Sequence, residues 1–456
     1  PGSAFKPVVY ATAFKKEYNP AFTLWDVTTD FGNYTPQNYD GSTHGPVSMR
    51  KALAGSLNIP AVKTLYLAGM DNVLDQAHQM GITTLNDRDR YGLSLVLGGG
   101  EVKLIDLTTA YGVFADQGAL APTNPILKVV DAKGKVMEEV KENDINKKEV
   151  LDPQIAYEIS SILSDNNARS YVFGSRSALY FGDRPVAVKT GTTSEYRDAW
   201  TVGYTPSLVA GVWVGNNDNT PMAAGAAGAM AAAPIWHDYM EKALANQPVE
   251  DFTQPSGIQK FTVDKYTNKL PSGGETITDF FANWQIPKDY SKDVGKIRID
   301  KFTGHLATDD CPDQFVEEKI VMDIHSEVPD NPNWERPVRA LAASMGILTG
   351  GVVDDSPTCA GLTNQTSIKI KSPANNSTVS GTFTISATIE STVNIQKVEF
   401  LIDDVIIGTD TTKPYSITYD ANSLSEGSHK ITIITTDANN LTSSASITVI
   451  RNNSPS

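Results

Sequence analysis

The chain changes character at residue 367, and that change limits every fold it can adopt. From there it is a run of short segments that alternate apolar and polar residues: SIKIKS, FTISATIE, KVEFLID, PYSITY, HKITIITTD and SASITVI. Strands at intervals of about 8–12 residues, with Asn, Asp and Gly between them, predict an antiparallel sandwich. Residues 367–456 are therefore expected to form an all-β sandwich. It lacks the cysteine pair of antibody domains. Residues 346–366 are rich in Gly, Asp, Ser and Thr and read as a linker. A chain of 456 residues has room for two or three domains, so the rest must fold separately.

That rest reads as α+β. Residues 3–16 predict a helix, and residues 17–47, rich in Pro, Gly, Asn, Asp and Tyr, a loop. A helix starts at Ser48 and stops at Gly55, and Pro60 opens another. Ser56 and Asn58 then sit at a helix–helix junction, where side chains point into a cleft. Residues 71–118 are mostly helical, apart from the glycine turn Leu97-Gly98-Gly99-Gly100-Glu101. No Gly-Lys-Ser/Thr follows those glycines and no strand precedes them, so a close-packed loop is preferred to a phosphate cradle. Residues 126–140 predict a hairpin and 153–174 a helix. The strands VAVKTGT, AWTVGYT and SLVAGVWVG follow, then a helix over about 229–246. Helices, an antiparallel set and a packing helix make one domain, set at residues 1–247. Residues 248–345 read as an accessory region with an internal echo, VDKYTNKLP at 263–271 and IDKFTGHLA at 299–307.

Three short stretches carry chemistry. In Ser3-Ala4-Phe5-Lys6 the serine and lysine are three apart, hence on one helix face, about 5–6 Å apart at Cβ. Lys6 then reaches Ser3 and activates it, provided burial or a nearby cation keeps the amine neutral for part of the time. Such a pair arises by chance about twice in a chain of this length. One more stands at Ser48-Met49-Arg50-Lys51, and a lone match is more often a helix cap. The second stretch is Ser56-Leu57-Asn58. The third, Lys189-Thr190-Gly191-Thr192, closes a strand. It offers a cation, two hydroxyls and a glycine past which another backbone can approach, as a peptide with a free carboxylate would need. The plainer alternative is an edge strand with an ordinary lysine.

The ordered trio is that of serine β-lactamases and penicillin-binding proteins. The flanking segments NYDGSTHGPVSMRKALAGSLNIPAVK, YGLSLVLGGGEVKLIDLTTAYGVFADQG and KTGTTSEYRDAWTVGYTPSLVAGVWVGNND resemble the transpeptidase domain of class A penicillin-binding proteins over residues 1–245. The stretch around TGHLATDDCP is similar to tails that follow this domain, and the last domain resembles bacterial immunoglobulin-like modules. The resemblance implies a peptidoglycan D,D-transpeptidase. Ser3 attacks the penultimate D-Ala of a stem peptide ending D-Ala-D-Ala, and an amine on a neighbouring strand takes the acyl group. Lys6 is the base, Ser56 relays a proton to the leaving amine, and Asn58 holds Lys6 and the substrate amide. Lys189, Thr190 and Thr192 orient the carboxylate, and Gly191 clears the strand edge. The N–H groups of Ser3 and Thr192 form the oxyanion hole, and β-lactams acylate Ser3. The chemistry calls for neither metal nor organic cofactor. The resemblance also implies a parent with a glycosyltransferase domain and a membrane anchor, absent from these residues, at the extracytoplasmic face of a bacterial membrane. Pro1 then falls inside a domain, and the chain reads as a fragment. A D,D-carboxypeptidase or β-lactamase shares the trio, with water taking the acyl group. A non-catalytic sensor or wall-binding protein is the alternative from another class.

Composition supports this setting. With 53 acidic against 38 basic residues the net charge is -15, which argues against nucleic acid and lends nothing to an anionic membrane surface. No apolar run is long enough to span a bilayer. Cys311 and Cys359 match no common zinc spacing. A disulfide and two free thiols are both open, and an extracytoplasmic setting favours the disulfide.

Overall fold

The computed structural model describes residues 1–141, 145–291, 295–301, 304–309, 311, 313–322, 324–349, 359 and 366–452. It divides into two units, Pro1–Val294 with Asp323–Met345, and Gly295–Met322 with Gly346–Ser456.

The first unit is built around its first helix. A 3-10 turn, Gly2–Phe5, leads into α1, Lys6–Phe14, all nine residues of which are buried. A helix apolar on every side belongs in a core, and α1 sits in the largest one. Strands β1 (Thr23–Asp26) and β2 (Gly45–Ser48) pair antiparallel inside the stretch expected to be loop. At four residues each, they are too short to show alternation. Helices α2 (Met49–Ala54), α3 (Asn58–Ala68), α4 (Met70–Gln79) and α5 (Leu104–Ala115) follow. Helix α3 thus begins at Asn58, two residues before the proline expected to open it. Strands β3 (Ala119–Leu120), β4 (Lys128–Val130), β5 (Val136–Glu139) and β6 (Lys148–Glu149) form two small hairpin-like pairs, β3 with β6 and β4 with β5. The helix predicted over 153–174 is two, α6 (Pro153–Ser164) and α7 (Asn166–Phe173). They break at Asp165, whose carboxylate caps α7 through the Ala168 N–H.

Strands β7 (Ala187–Thr192), β8 (Asp198–Tyr204) and β9 (Val209–Gly215) then make an antiparallel sheet in that order. Alternate residues face opposite sides. Ala187, Trp200, Val202 and Tyr204 join the core of α1, α5 and α6, while Val188 and Ala210 pack on Trp236 and Met240 of α8, Gly228–Leu244. Strand β7, which ends in the Lys-Thr-Gly stretch, lies at the sheet's edge. Strands β10 (Gln259–Asp264) and β11 (Thr276–Phe281) pair, and helix α9 (Pro332–Ser344) also belongs to this unit. Among the described residues no helix is long and apolar enough to cross a membrane.

In the second unit β12 (Gly295–Asp300), β13 (Val316–Met322) and β14 (Ile347–Thr349) form one sheet. Cys311 and Cys359 are joined in a disulfide, with Cα atoms 5.3 Å apart. The sequence echo proves to be one turn used twice. Asp264 N–H donates to Lys269 O and Asn268 N–H to Asp264 O, and Asp300 with His305 and Gly304 with Asp300 repeat the pattern. Asn268 and Gly304 both have positive φ, 57° and 75°. Beyond residue 365 lie β15 (Thr366–Ser372), β16 (Ser377–Val379), β17 (Thr382–Ser391), β18 (Ile395–Ile402), β19 (Val405–Asp410), β20 (Ser416–Asp420), β21 (Gly427–Asp437) and β22 (Thr442–Arg451). Sheets β15-β17-β20 and β16-β22-β21-β18-β19 enclose a shared core, Ile385 and Ile389 from one and Phe400, Ile431 and Ile433 from the other. This is the expected sandwich.

Candidate active site

The N-terminal turn is held against β7 by backbone contact. Gly2 has φ +58°, a conformation that favours glycine. A Cβ there would lie 2.6 Å from the Thr192 nitrogen, and one on Gly191 would lie 2.1 Å from the Pro1 oxygen. The side-chain space at Gly191 is thus filled by the chain's own turn. A Cβ on Gly98 would meet the Gly2 nitrogen at 2.0 Å, which makes the Leu97–Glu101 glycines the close-packed loop expected. Tyr111, on α5, donates its hydroxyl to Ala4 O at 2.7 Å and pins the turn from the core side. Ser3 lies within the 3-10 turn and Lys6 at the start of α1, so the single predicted helix is a tight turn followed by a wider one.

Two buried lysines converge on Ser56. Lys189 Nζ donates to Ser56 Oγ at 2.7 Å and to Thr190 O at 3.0 Å. Lys6 Nζ lies 2.7 Å from Ser56 O, 3.0 Å from Leu57 O, 2.9 Å from Asn58 Oδ1 and 3.4 Å from Ser56 Oγ. None of these is Ser3, whose hydroxyl makes no hydrogen bond to a described residue. Burial pushes the Lys6 amine well below the usual lysine range, and the nearby Lys189 pushes it further. Burial alone brings Lys189 to about 7. Of the two causes anticipated from sequence, burial is thus the larger at Lys6 and proximity to another cation the smaller. Ser56 itself has φ +60°, a left-handed backbone that is costly for a serine. Strain of this kind persists where the surroundings over-determine it, and here two lysines and two helix ends fix the residue.

Ser3, Ser56, Asn58, Thr190 and Thr192 line one cleft of about 580 Å³ in the first unit. Lys189 stands behind the two threonines, 2 % exposed. Thr192 Oγ1 accepts from the Gly228 N–H at 3.0 Å, which leaves its own proton to point elsewhere. Sequence reasoning missed the group that supports this arrangement. Asn38 Oδ1 accepts from the Asn58 N–H at 2.8 Å and so caps α3 from twenty residues away, while its amide nitrogen donates to both oxygens of buried Asp26. Asn58 Nδ2 donates to Gln37 O. Asn38 lay within a segment read as loop, and nothing in its spacing points to α3. Tyr39 and Tyr196 also line the cleft, with their hydroxyls 3.1 Å apart. Among the described residues the group with metal-ligand spacing is Asp300 with Cys311 and Cys359, far along the chain from the cleft residues and with both sulfurs in the disulfide.

Residues 1–241 match the penicillin binding protein transpeptidase domain, and residues 367–433 a bacterial Ig domain. Penicillin-binding protein 1A of Clostridium botulinum is 32% identical over 344 residues, covering 70% of this chain and 40% of that protein. Penicillin-binding protein 1A of Aquifex aeolicus is 36% identical over 265 residues, 56% of this chain and 34% of that one. The chain thus spans well under half the length of these relatives. The crystal structure of penicillin-binding protein 1A from Haemophilus influenzae superposes with a TM-score of 0.55 at 26% identity, over 63% of this chain and 48% of that one. The PonA1 protein from Mycobacterium tuberculosis, solved in complex with penicillin V, superposes with a TM-score of 0.50 at 29% identity, over 56% and 72%. With more than half its length in that match, the chain belongs to the penicillin-binding protein transpeptidase family, enzymes of the acyl-transferase and peptidase type, and carries a bacterial Ig domain after it.

Proposed function

We propose that this chain carries the acyl-transfer site of a peptidoglycan D,D-transpeptidase, and that residues 1–247 are its catalytic domain. The observation that carries the reading is the Ser56 hydroxyl, held between two buried amines at 2.7 and 3.4 Å in the cleft that Ser3 lines. Such a hydroxyl can pass a proton in either direction. A donor peptide ending D-Ala-D-Ala adds to the free edge of β7 by strand pairing. Thr190 and Thr192 touch its carboxylate, and Lys189 acts from behind them through its charge. Asn58 keeps Lys6 in place and presents its amide to the peptide backbone.

Acylation then asks Lys6 to exchange one of its carbonyl partners for Ser3 Oγ, since catalytic hydrogen bonds often form only in the complex. The neutral amine takes the Ser3 proton as Oγ attacks the penultimate D-Ala carbonyl. Charge on the carbonyl oxygen meets the N–H groups of Ser3 and Thr192, each worth a few kcal/mol. Ser56 delivers a proton to the departing D-Ala nitrogen. An amine of a neighbouring stem peptide next attacks the Ser3 ester, forms the crosslink and returns the hydroxyl. A β-lactam acylates Ser3 because its strained amide imitates the same dipeptide. The reading makes the chain part of a longer, membrane-anchored protein with a glycosyltransferase domain, at the extracytoplasmic face. That the match covers 40% and 34% of the Clostridium botulinum and Aquifex aeolicus proteins supports the longer parent.

The test is covalent labelling by a fluorescent penicillin. The chain is expected to be labelled and its Ser3→Ala variant to stay dark. Equal labelling of both overturns the reading.

A further inference from the structure

The mechanism leaves one cleft feature unused. Tyr39 and Tyr196 come from different parts of the fold, the connection between β1 and β2 and the turn between β7 and β8, and their hydroxyls meet at 3.1 Å. Tyr39 is 77 % exposed, so no packing fixes it there. Its neighbour Asn38 is buried and tied to Asp26 and to the start of α3, which anchors the backbone that presents the ring.

The partner is held still more firmly. Glu195 and Tyr196 are consecutive non-glycine residues with φ of 58° and 54°. Each left-handed residue is unfavourable by about 1–2 kcal/mol, so the turn needs clamps. Arg197 pairs with Glu195 at 2.5 Å and bonds Asn219 O. Met222 N–H donates to Tyr196 O at 3.0 Å, and Thr193 Oγ1 donates to Asp198 Oδ2 at 2.8 Å. Trp213 fixes the other oxygen of Asp198. These bonds hold the turn, and the Tyr196 hydroxyl is the group it delivers to Tyr39. Strain concentrated on one presented side chain points to a use for that side chain.

We infer that Tyr39 and Tyr196 form a strap across the cleft that decides whether the acyl group on Ser3 goes to an amine or to water. The inference rests on the proposed acyl-enzyme. Both fates break the bond between Ser3 Oγ and the acyl carbon, and both return a proton from the nucleophile to Oγ. Attack by an amine forms a C–N bond, and attack by water a C–O bond and a carboxylic acid. Water needs no shaped entrance, whereas a peptide amine does. A closed strap excludes bulk water from the ester, and an acceptor peptide opens it by replacing the hydroxyl–hydroxyl bond with bonds to its own backbone.

The experiment measures products from a peptide ending D-Ala-D-Ala with a D-amino acid as the amine, in Tyr39→Phe, Tyr196→Phe and the double variant. Phenylalanine keeps the ring and removes only the hydroxyl. Losing one hydrogen bond is expected to lower the transfer-to-hydrolysis ratio by about three- to tenfold. The double variant should match the singles, since either change breaks the same contact. Penicillin labelling is followed alongside. A labelled chain whose ratio is unchanged, or whose double variant is additive, overturns the strap and leaves the acyl-enzyme standing. A wild-type chain that takes no label overturns both.

Discussion

Two Ser-x-x-Lys stretches lie in the first unit with opposite fates. Ser48 ends β2 with φ -69° and ψ 153°, outside the helix it precedes, and its hydroxyl accepts from the Lys51 N–H at 3.3 Å. It is a helix cap, and Lys51 points to solvent. Ser3 lies inside its turn, its hydroxyl is not engaged in capping, and Lys6 is wholly buried. The residue before each serine makes the difference. Gly2 takes φ +58° and packs backbone on backbone against Thr192, so the turn has already begun when Ser3 is reached. Val47 is in an extended strand, so Ser48 meets the first free N–H groups of its helix and bonds one. A serine used as a cap is not available as a nucleophile.

The hardest blow to this contrast comes from Ser3→Ala. Penicillin labelling is expected to fall by at least about a thousandfold, with the urea midpoint of the unit nearly unmoved. Label retained on the variant would make both serines structural. Next in size are Gly2→Ala and Gly191→Ala. Each puts a methyl group where backbone atoms lie at 2.6 and 2.1 Å, and the neighbours are not flexible side-chain ends. Destabilisation of about 2–4 kcal/mol is expected, read from denaturant midpoints, together with slower acylation. If both variants fold with native midpoints, the close approach does not set the turn.

Burial of the two site lysines also ties stability and acylation to pH. Lys189 titrates near 7 when folded, against 10.5 in the open chain. Between those values the unfolded state holds the proton that the folded state has released, so stability rises with pH across that window; below 7 the penalty for a buried cation is complete. The Lys189 share of the gain from pH 7 to 9 is expected to be about 2 kcal/mol, and Lys189→Met should lower the gain by that amount, leaving the rise that buried Lys6, also held below its usual range, contributes. The second-order rate of acylation should fall above about 7, because the free enzyme loses the charge proposed to meet the carboxylate. In Lys189→Arg that limb should move beyond the measurable range, since guanidinium keeps its proton. A rate profile that is the same in both would remove Lys189 from substrate binding.

The grouping of the candidate site residues was legible because it is written in residue types at short spacing. Ser3, Lys6, Ser56, Asn58, Thr190 and Thr192 all come to one place, with Lys189 directly behind. What holds them there was not legible. Asn38 serves α3 across twenty residues, and β1 and β2, which bracket it, are four residues each. The positive φ of Ser56 and of Glu195 and Tyr196 has no composition to announce it, for none is glycine. The sandwich shows the same limit. Six of its strands follow from alternation, but β19 joins β18 through Asp403 and Asp404, both left-handed and neither a glycine. The three-residue β16 is too short for any periodicity.

The smallest expected effect completes the contrast. Ser48→Ala removes the acceptor for the Lys51 N–H at a residue only 6 % exposed, so water replaces it poorly. Loss of such a cap lowers stability by about 1 kcal/mol. Labelling of the folded chain should keep its native rate, because α2 contributes no side chain to the lysine cluster around Ser56. The two measurements separate the serines in opposite directions, since Ser3→Ala loses label at constant stability and Ser48→Ala loses stability at constant label. A Ser48→Ala chain that stays folded yet labels slowly would mean that the start of α2 is coupled to the cleft through Gly55, the residue that joins α2 to Ser56. The capping serine would then be a positioning residue, and the same four-residue pattern would have been used twice for one site.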